Sequence, residues 1–211
     1  MTAMNSRQKN DRQLDVIGEL VNVAVGRAAA SLNSLVDSHI ELSLPKIRII
    51  NFQELQADDS ELFCAELAYV RLPFRGPFSG AAVLAFPTDG AVKLVSTLTG
   101  EDINSSSLDA LMAGTLNEVG NIVINGVIGS ISNLLERPLN FSLPEYSEGK
   151  LSEVLATEYG DEDITAVMAY ITFSIESLSI TGNIVLLFEF RSFENFISAV
   201  DMMIRANESS E

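Results

Sequence analysis

The feature of this 211-residue chain that most constrains its fold is a repeat. Glu19-Leu-Val-Asn22 returns 99 residues later as Glu118-Val-Gly-Asn121, each time inside a long helical pattern. Laying residues 15–45 on 114–144 without a gap gives seven identities in 31 positions. These are Glu19 with Glu118, Asn22 with Asn121, Ser31 with Ser130, Leu35 with Leu134, and Ser43, Leu44 and Pro45 with Ser142, Leu143 and Pro144. Apolar residues are matched between them. The expectation is duplication of one unit, with pseudo-symmetric repeats at about 11–99 and 107–206 packing into a single domain over 1–211.

Periodicity predicts the elements of each copy. From Arg12 to about Val36, Leu14, Ile17, Val21, Ala24, Val25, Ala28, Leu32 and Leu35 follow helical spacing. Glu41 to Ile50 alternates and predicts a strand, as do Glu61 to Leu72 and Ser79 to Phe86, around Pro73, Gly76 and Pro77. Thr88 to Leu98 predicts a second helix, and the polar segment 100–107 joins the copies. The second copy predicts a helix from about Leu108 to Leu135, a strand near Leu139 to Leu143, strands at Ile164 to Ile175 and Ser179 to Phe190, and a helix Ser192 to Arg205. One inserted residue aligns Tyr69 with Tyr170 and Gly80 with Gly182, leaving Tyr146 to Asp163 as the main asymmetry. Within it, Leu151 to Tyr159 reads as a short acidic helix. A helix, three strands and a helix, twice over, predict an α+β fold with an antiparallel sheet and two long signature helices, because the links between strands are too short for helical crossovers.

Composition narrows the function. With 47% apolar and 20% charged residues the chain can build a core. A formal charge of −16 repels nucleic acid and anionic membranes alike, so neither is an expected partner. The single Cys64 excludes an internal disulfide and a cysteine-based zinc site, which fits a reducing compartment. In its apolar run it reads as a small core residue. His39, with no second His, offers no metal site and sits where it can face helix C-terminal carbonyls. The N-terminal residues lack an apolar signal core. The apolar stretch Val119 to Ile131 is broken by Asn121, Asn125 and three glycines and is too short to span a bilayer. A cytoplasmic location is expected.

A bare Glu-x-x-Asn carries little information in a chain rich in both residues, and the copy at Glu101 to Asn104 lies in the linker. Placement distinguishes the other two. On a helix, Glu19 and Asn22 stand about 60° apart and roughly opposite the apolar stripe, so they project together from the outer surface. Gly18 and Gly26 lie near the first pair, Gly114 and Asn125 near the second. A glycine inside a helix costs on the order of 1 kcal/mol relative to alanine, so glycines on an exposed face suggest close approach of a large partner. The plainer alternative is that these are ordinary polar residues of a solvated face.

The segments LDVIGELVNVAVGRAAASLNSLV and LNEVGNIVINGVIGSISNLL resemble the two signature helices of the CheC, CheX and FliY family of chemotaxis phosphatases. The family pattern is Asp or Ser, three residues, Glu, two residues, Asn. Asp15, Glu19 and Asn22 match it fully, whereas Glu118 and Asn121 are preceded by Gly114. Two copies resemble the two-site CheC arrangement more than the single-site CheX one. The resemblance implies a hydrolase that removes the aspartyl phosphate from a CheY-like response-regulator receiver domain in two-component signalling. It implies Glu19 and Glu118 docking the receiver through its lysine, and Asn22 and Asn121 orienting the attacking water. It implies no cofactor of the chain's own, the Mg2+ being supplied by the receiver. It also implies a possible CheD-like deamidase partner at Leu151 to Tyr159. The alternative is a non-catalytic module that binds receivers, a deamidase or a flagellar switch complex through the same helices.

Overall fold

A computed structural model describes residues 2–33, 40–42, 46–51, 54, 64–100, 108–153, 164–175 and 178–208. His39, the linker copy at Glu101 to Asn104 and most of Leu151 to Tyr159 fall outside these residues. Helix α1 (Thr2–Asn33) is followed by β1 (Ile40–Leu42), β2 (Lys46–Asn51), β3 (Leu67–Arg75), β4 (Gly80–Pro87) and α2 (Thr88–Thr99). The same order returns as α3 (Leu108–Leu134), β5 (Asn140–Phe141), β6 (Glu145–Gly149), β7 (Ile164–Ile175), β8 (Leu178–Glu189) and α4 (Phe190–Glu208). The mixture of helices with an antiparallel sheet is the expected fold class.

Several boundaries differ from those predicted. The run Glu41 to Ile50 holds two short strands, and β6 adds a strand where the sequence suggested only an insertion, so each half has four strands among the described residues. In the second half β5 and β6 divide around Ser142-Leu143-Pro144, where proline withholds the N–H that a continuous ladder needs. The strand predicted from Glu61 begins only at Leu67, and Cys64, expected in the core, is exposed. Leu14, expected on the buried stripe, is 39% exposed. Helix α1 begins at Thr2, well before Arg12.

The eight strands form one sheet in the order β1-β7-β8-β4-β3-β5, with β2 also on β7 and β6 also on β3. At its centre β4 pairs with β8, from Gly80 opposite Phe188 to Ala85 opposite Asn183. Outward from there each half lends its short strands to the other. Lys46 of β2 lies opposite Tyr170 of β7, and Ser147 of β6 lies opposite Tyr69 of β3. Arg71 and Glu145, facing partners in β3 and β6, also form an ion pair at 3.6 Å.

Strand alternation turns Ala68, Val70, Leu72 and Phe74 of β3, Ala82, Leu84 and Phe86 of β4, and Ile184, Leu186 and Phe188 of β8 toward one core. Helices α1, α2, α3 and α4 contribute to that core, through Val25, Leu94, Val123 and Phe196. The intervening Tyr69, Val83, Ala85, Val185 and Leu187 are buried as well, so these central strands are apolar on both faces. Helix α2 stops at Gly100, whose left-handed φ of 69° lets its N–H donate to the Ser96 carbonyl at 2.9 Å. The helix layer thus rests on a continuous apolar floor, which holds its outward face in a fixed position.

Candidate functional site

The outward face is defined by how α1 and α3 pack. A Cβ on Gly126 of α3 would lie 2.8 Å from the Cβ and 2.9 Å from the Cα of Ala28, so the two helices touch backbone to backbone at this point. Further along, Leu32 of α1 shares a groove with Val119 and Ile122 of α3, so the helices run in opposite directions. Against the sheet, a Cβ on Gly120 would meet the Val70 side chain at 2.5 Å, which brings α3 down onto β3. With Ile17, Val21, Ala24 and Ala28 of α1 and Leu116, Val123 and Val127 of α3 buried, the remaining arc of each helix points away from the core.

Both motif pairs lie on that arc. Glu19 and Glu118 are exposed, and Asn22 and Asn121 are half-buried beside them. Asp15, Gly26 and Gly114 are exposed on the same faces. A Cβ on Gly18, Gly26 or Gly114 would meet nothing within 4 Å, so these positions border open space.

The two pairs are not alike in their surroundings. One helical turn to either side of Asn22 stand Gly18 and Gly26, whereas Asn121 is flanked at the same spacing by Asn117 and Asn125. The Asn125 Nδ2 donates to the Asn121 Oδ1 at 2.6 Å. The Asn125 Oδ1 and the Asn117 Oδ1 are buried without a hydrogen-bond partner among the described residues. A buried acceptor left in that state costs about 1–3 kcal/mol. Among the described residues Asn22 has no side-chain hydrogen bond. Asn117 was not a predicted site residue. Its signal in the sequence is the spacing of four that joins Asn117, Asn121 and Asn125 into one row.

Glu118 and Gly114 also line a groove of about 480 Å³, closed on its other sides by Leu32 of α1 and by Leu98 and Thr99 of α2. A second groove, of about 610 Å³, lies between Gln13 and Leu14 of α1 and Phe193 and Ile197 of α4 and touches neither motif.

The family model for the chemotaxis phosphatase CheX matches residues 68–165, a span that contains all of α3 and its motif. The chain is 24% identical over 149 residues to the CheY-P phosphatase CheC of Bacillus subtilis (strain 168), which covers 69% of this chain and 71% of that protein. Its fold matches Thermotoga maritima FliY with a TM-score of 0.71 at 20% identity, over 91% of this chain and 97% of FliY. These matches support a likeness to the CheC, CheX and FliY family. A further match in this family's fold is the CheX–CheY–BeF3–Mg2+ complex from Borrelia burgdorferi, with a TM-score of 0.50 at 16% identity over 78% of this chain and 94% of that one.

The chain brings both Glu and Asn pairs to one helical layer, in α1 and α3. Among its described residues no group of three or more His, Cys, Asp or Glu side chains is arranged to hold a metal ion. No helix among them is long and apolar enough to cross a membrane.

Proposed function

We propose that this protein hydrolyses the aspartyl phosphate of a CheY-like receiver domain, at two sites carried by Glu19 with Asn22 and Glu118 with Asn121. The observation that carries this reading is the shared geometry of the pairs. Each is an exposed carboxylate and a half-buried carboxamide, three residues apart, on the outward face of a long helix anchored in the core. A rigid helix of this kind can enter a cleft on a partner without first having to be ordered.

The chemistry suits an acyl phosphate that already sits on a partner. The receiver supplies the aspartyl phosphate, the Mg2+ and a lysine, so a positioned water is what remains to be added. A carboxamide both donates and accepts hydrogen bonds and brings no negative charge to a phosphoryl group. Asn22 or Asn121 would hold the water in line with the leaving carboxylate, and Glu19 or Glu118 would fix the approach by pairing with the lysine. The water oxygen forms a bond to phosphorus as the bond to the receiver's aspartate oxygen breaks, the carboxylate departs with the electron pair, and the protons of the water leave on the inorganic phosphate. The metal belongs to the receiver in this scheme, in keeping with the Mg2+ present in the CheX–CheY complex of the same fold.

The two sites would belong to one domain over 1–211, built from repeats at about 11–99 and 107–206. The recurring element order and the exchanged short strands support that organisation.

The test is phosphate release from phosphorylated receivers of the same genome, with wild type beside Asn22→Ala, Asn121→Ala and the double variant. The double variant is expected to lose the acceleration, by about a hundredfold or more, as befits loss of the group that positions the nucleophile. Acceleration that survives the double replacement would defeat the assignment of the asparagines. Receiver binding by wild type without any acceleration would favour the non-catalytic docking module instead.

A further inference from the structure

We propose that Asn125 is a positioning residue of the second site, holding the Asn121 carboxamide in one orientation, and that the first site lacks this device and turns over more slowly for it. The inference rests on the phosphatase reading above and adds an inequality between the two sites. Its basis is one hydrogen bond and one absence. The Asn125 Nδ2 lies 2.6 Å from the Asn121 Oδ1, one helical turn away. The residue at the corresponding place in the first helix, 99 positions earlier, is Gly26, which has no side chain to offer.

The bond orients Asn121 without using it up. A carboxamide oxygen has two lone pairs, and Asn125 occupies one of them. The other lone pair and both N–H donors of Asn121 stay available to a water and a phosphoryl oxygen. Asn125 thereby fixes the side-chain torsions of Asn121 before the receiver arrives. Asn22, between Gly18 and Gly26, has no such tether among the described residues, and its torsions have to be frozen within the reacting complex. A group already in its reactive orientation spares the transition state that ordering, so the difference falls on kcat more than on KM.

Single-site proteins test this. In the Asn22→Ala background only the second site remains, and Asn125→Ala is expected to lower kcat about three- to tenfold, the rate equivalent of one side-chain rotor left free, with KM nearly unchanged. Asn125→Gln, which keeps an amide donor, should recover part of the loss. In the Asn121→Ala background only the first site remains, and Gly26→Asn should raise kcat by a similar factor. A Cβ at Gly26 meets nothing within 4 Å, so the graft fits. Unchanged kcat in both backgrounds, or an effect confined to KM, would overturn the proposal.

A second readout needs no receiver. Nitrogen-15 relaxation of the side-chain NH2 groups should show Asn121 more rigid than Asn22 in wild type, and Asn125→Ala should bring Asn121 to the mobility of Asn22. Equal mobility in wild type overturns the proposal whatever the kinetics. A rigid Asn121 with no acceleration of any receiver would instead overturn the phosphatase reading, and with it the unequal turnover.

Discussion

Glycine in these helices means opposite things at different places. Gly18 and Gly126 are both helix-interior glycines in repeated segments, and the sequence offers no way to tell them apart. Around Gly18 a Cβ finds open space, so Gly18→Ala is expected to raise stability by up to about 1 kcal/mol through helix propensity alone. At Gly126 the added methyl would meet Ala28 at 2.8 Å, and separating the helices outweighs the propensity gain. Gly126→Ala should therefore lower stability by about 1 kcal/mol. Urea unfolding of the two variants checks both signs, and a stabilised Gly126→Ala would show that the helix contact is loose. The same dependence on surroundings separates residues that the repeat pairs as identical. Ser31 is exposed, its hydroxyl donating to the Arg27 carbonyl at 3.2 Å, while Ser130 is only 7% exposed.

Elements were legible where a pattern repeats and obscure where it does not. The cores of α1 and α3 follow the apolar spacing, and the outward placement of Glu19, Asn22, Glu118 and Asn121 could be read from the same wheel. The first ten residues of α1 have no apolar stripe, so periodicity could not include them. They hold no proline or glycine, however, and a helix once nucleated extends through such a stretch. The ends of the signature helices are set by tertiary contacts. The Asn33 side chain bonds Ile40 twice, donating from Nδ2 to its carbonyl at 2.8 Å and accepting its N–H at 2.6 Å. In the second copy Ser132, 99 positions on, donates to the Arg137 carbonyl at 2.6 Å. Each side chain ties the end of its helix to the backbone that follows. Asn33→Ala should cost about 1–3 kcal/mol and Ser132→Ala about half as much, measured by thermal or denaturant unfolding. Equal stability of Asn33→Ala and wild type would mean that water replaces both bonds without loss.

At the scale of the whole molecule, the exchanged strands decide cooperativity. Strands β1 and β2 complete the sheet beside β7, and β5 and β6 complete it beside β3. Each half would leave the edge of its own long strand bare and half of the helical core open. A fragment covering 1–100 and one covering 107–211 should each lack stable tertiary structure and regain it on mixing, seen as the return of dispersed amide resonances. A stably folded single fragment would show that the cross-pairing is dispensable. This exchange could not be read from a repeat. Duplication states that two copies exist, and the alternation of apolar residues within a strand fits a neighbour from either copy equally well.

The sequence by itself carried the recurring motif and the faces of the two long helices, because helical spacing and repetition are one-dimensional properties. It also carried the family resemblance, through residues only a few positions apart. Tertiary structure decided which copy supplies the strand beside each long strand, which glycine marks a backbone contact, and where Cys64 and Leu14 meet solvent. It also decided that Asn125 reaches Asn121 while Asn22 has no side-chain hydrogen bond among the described residues. These depend on what arrives from elsewhere in the chain or on how one side chain turns, and local periodicity holds no record of either.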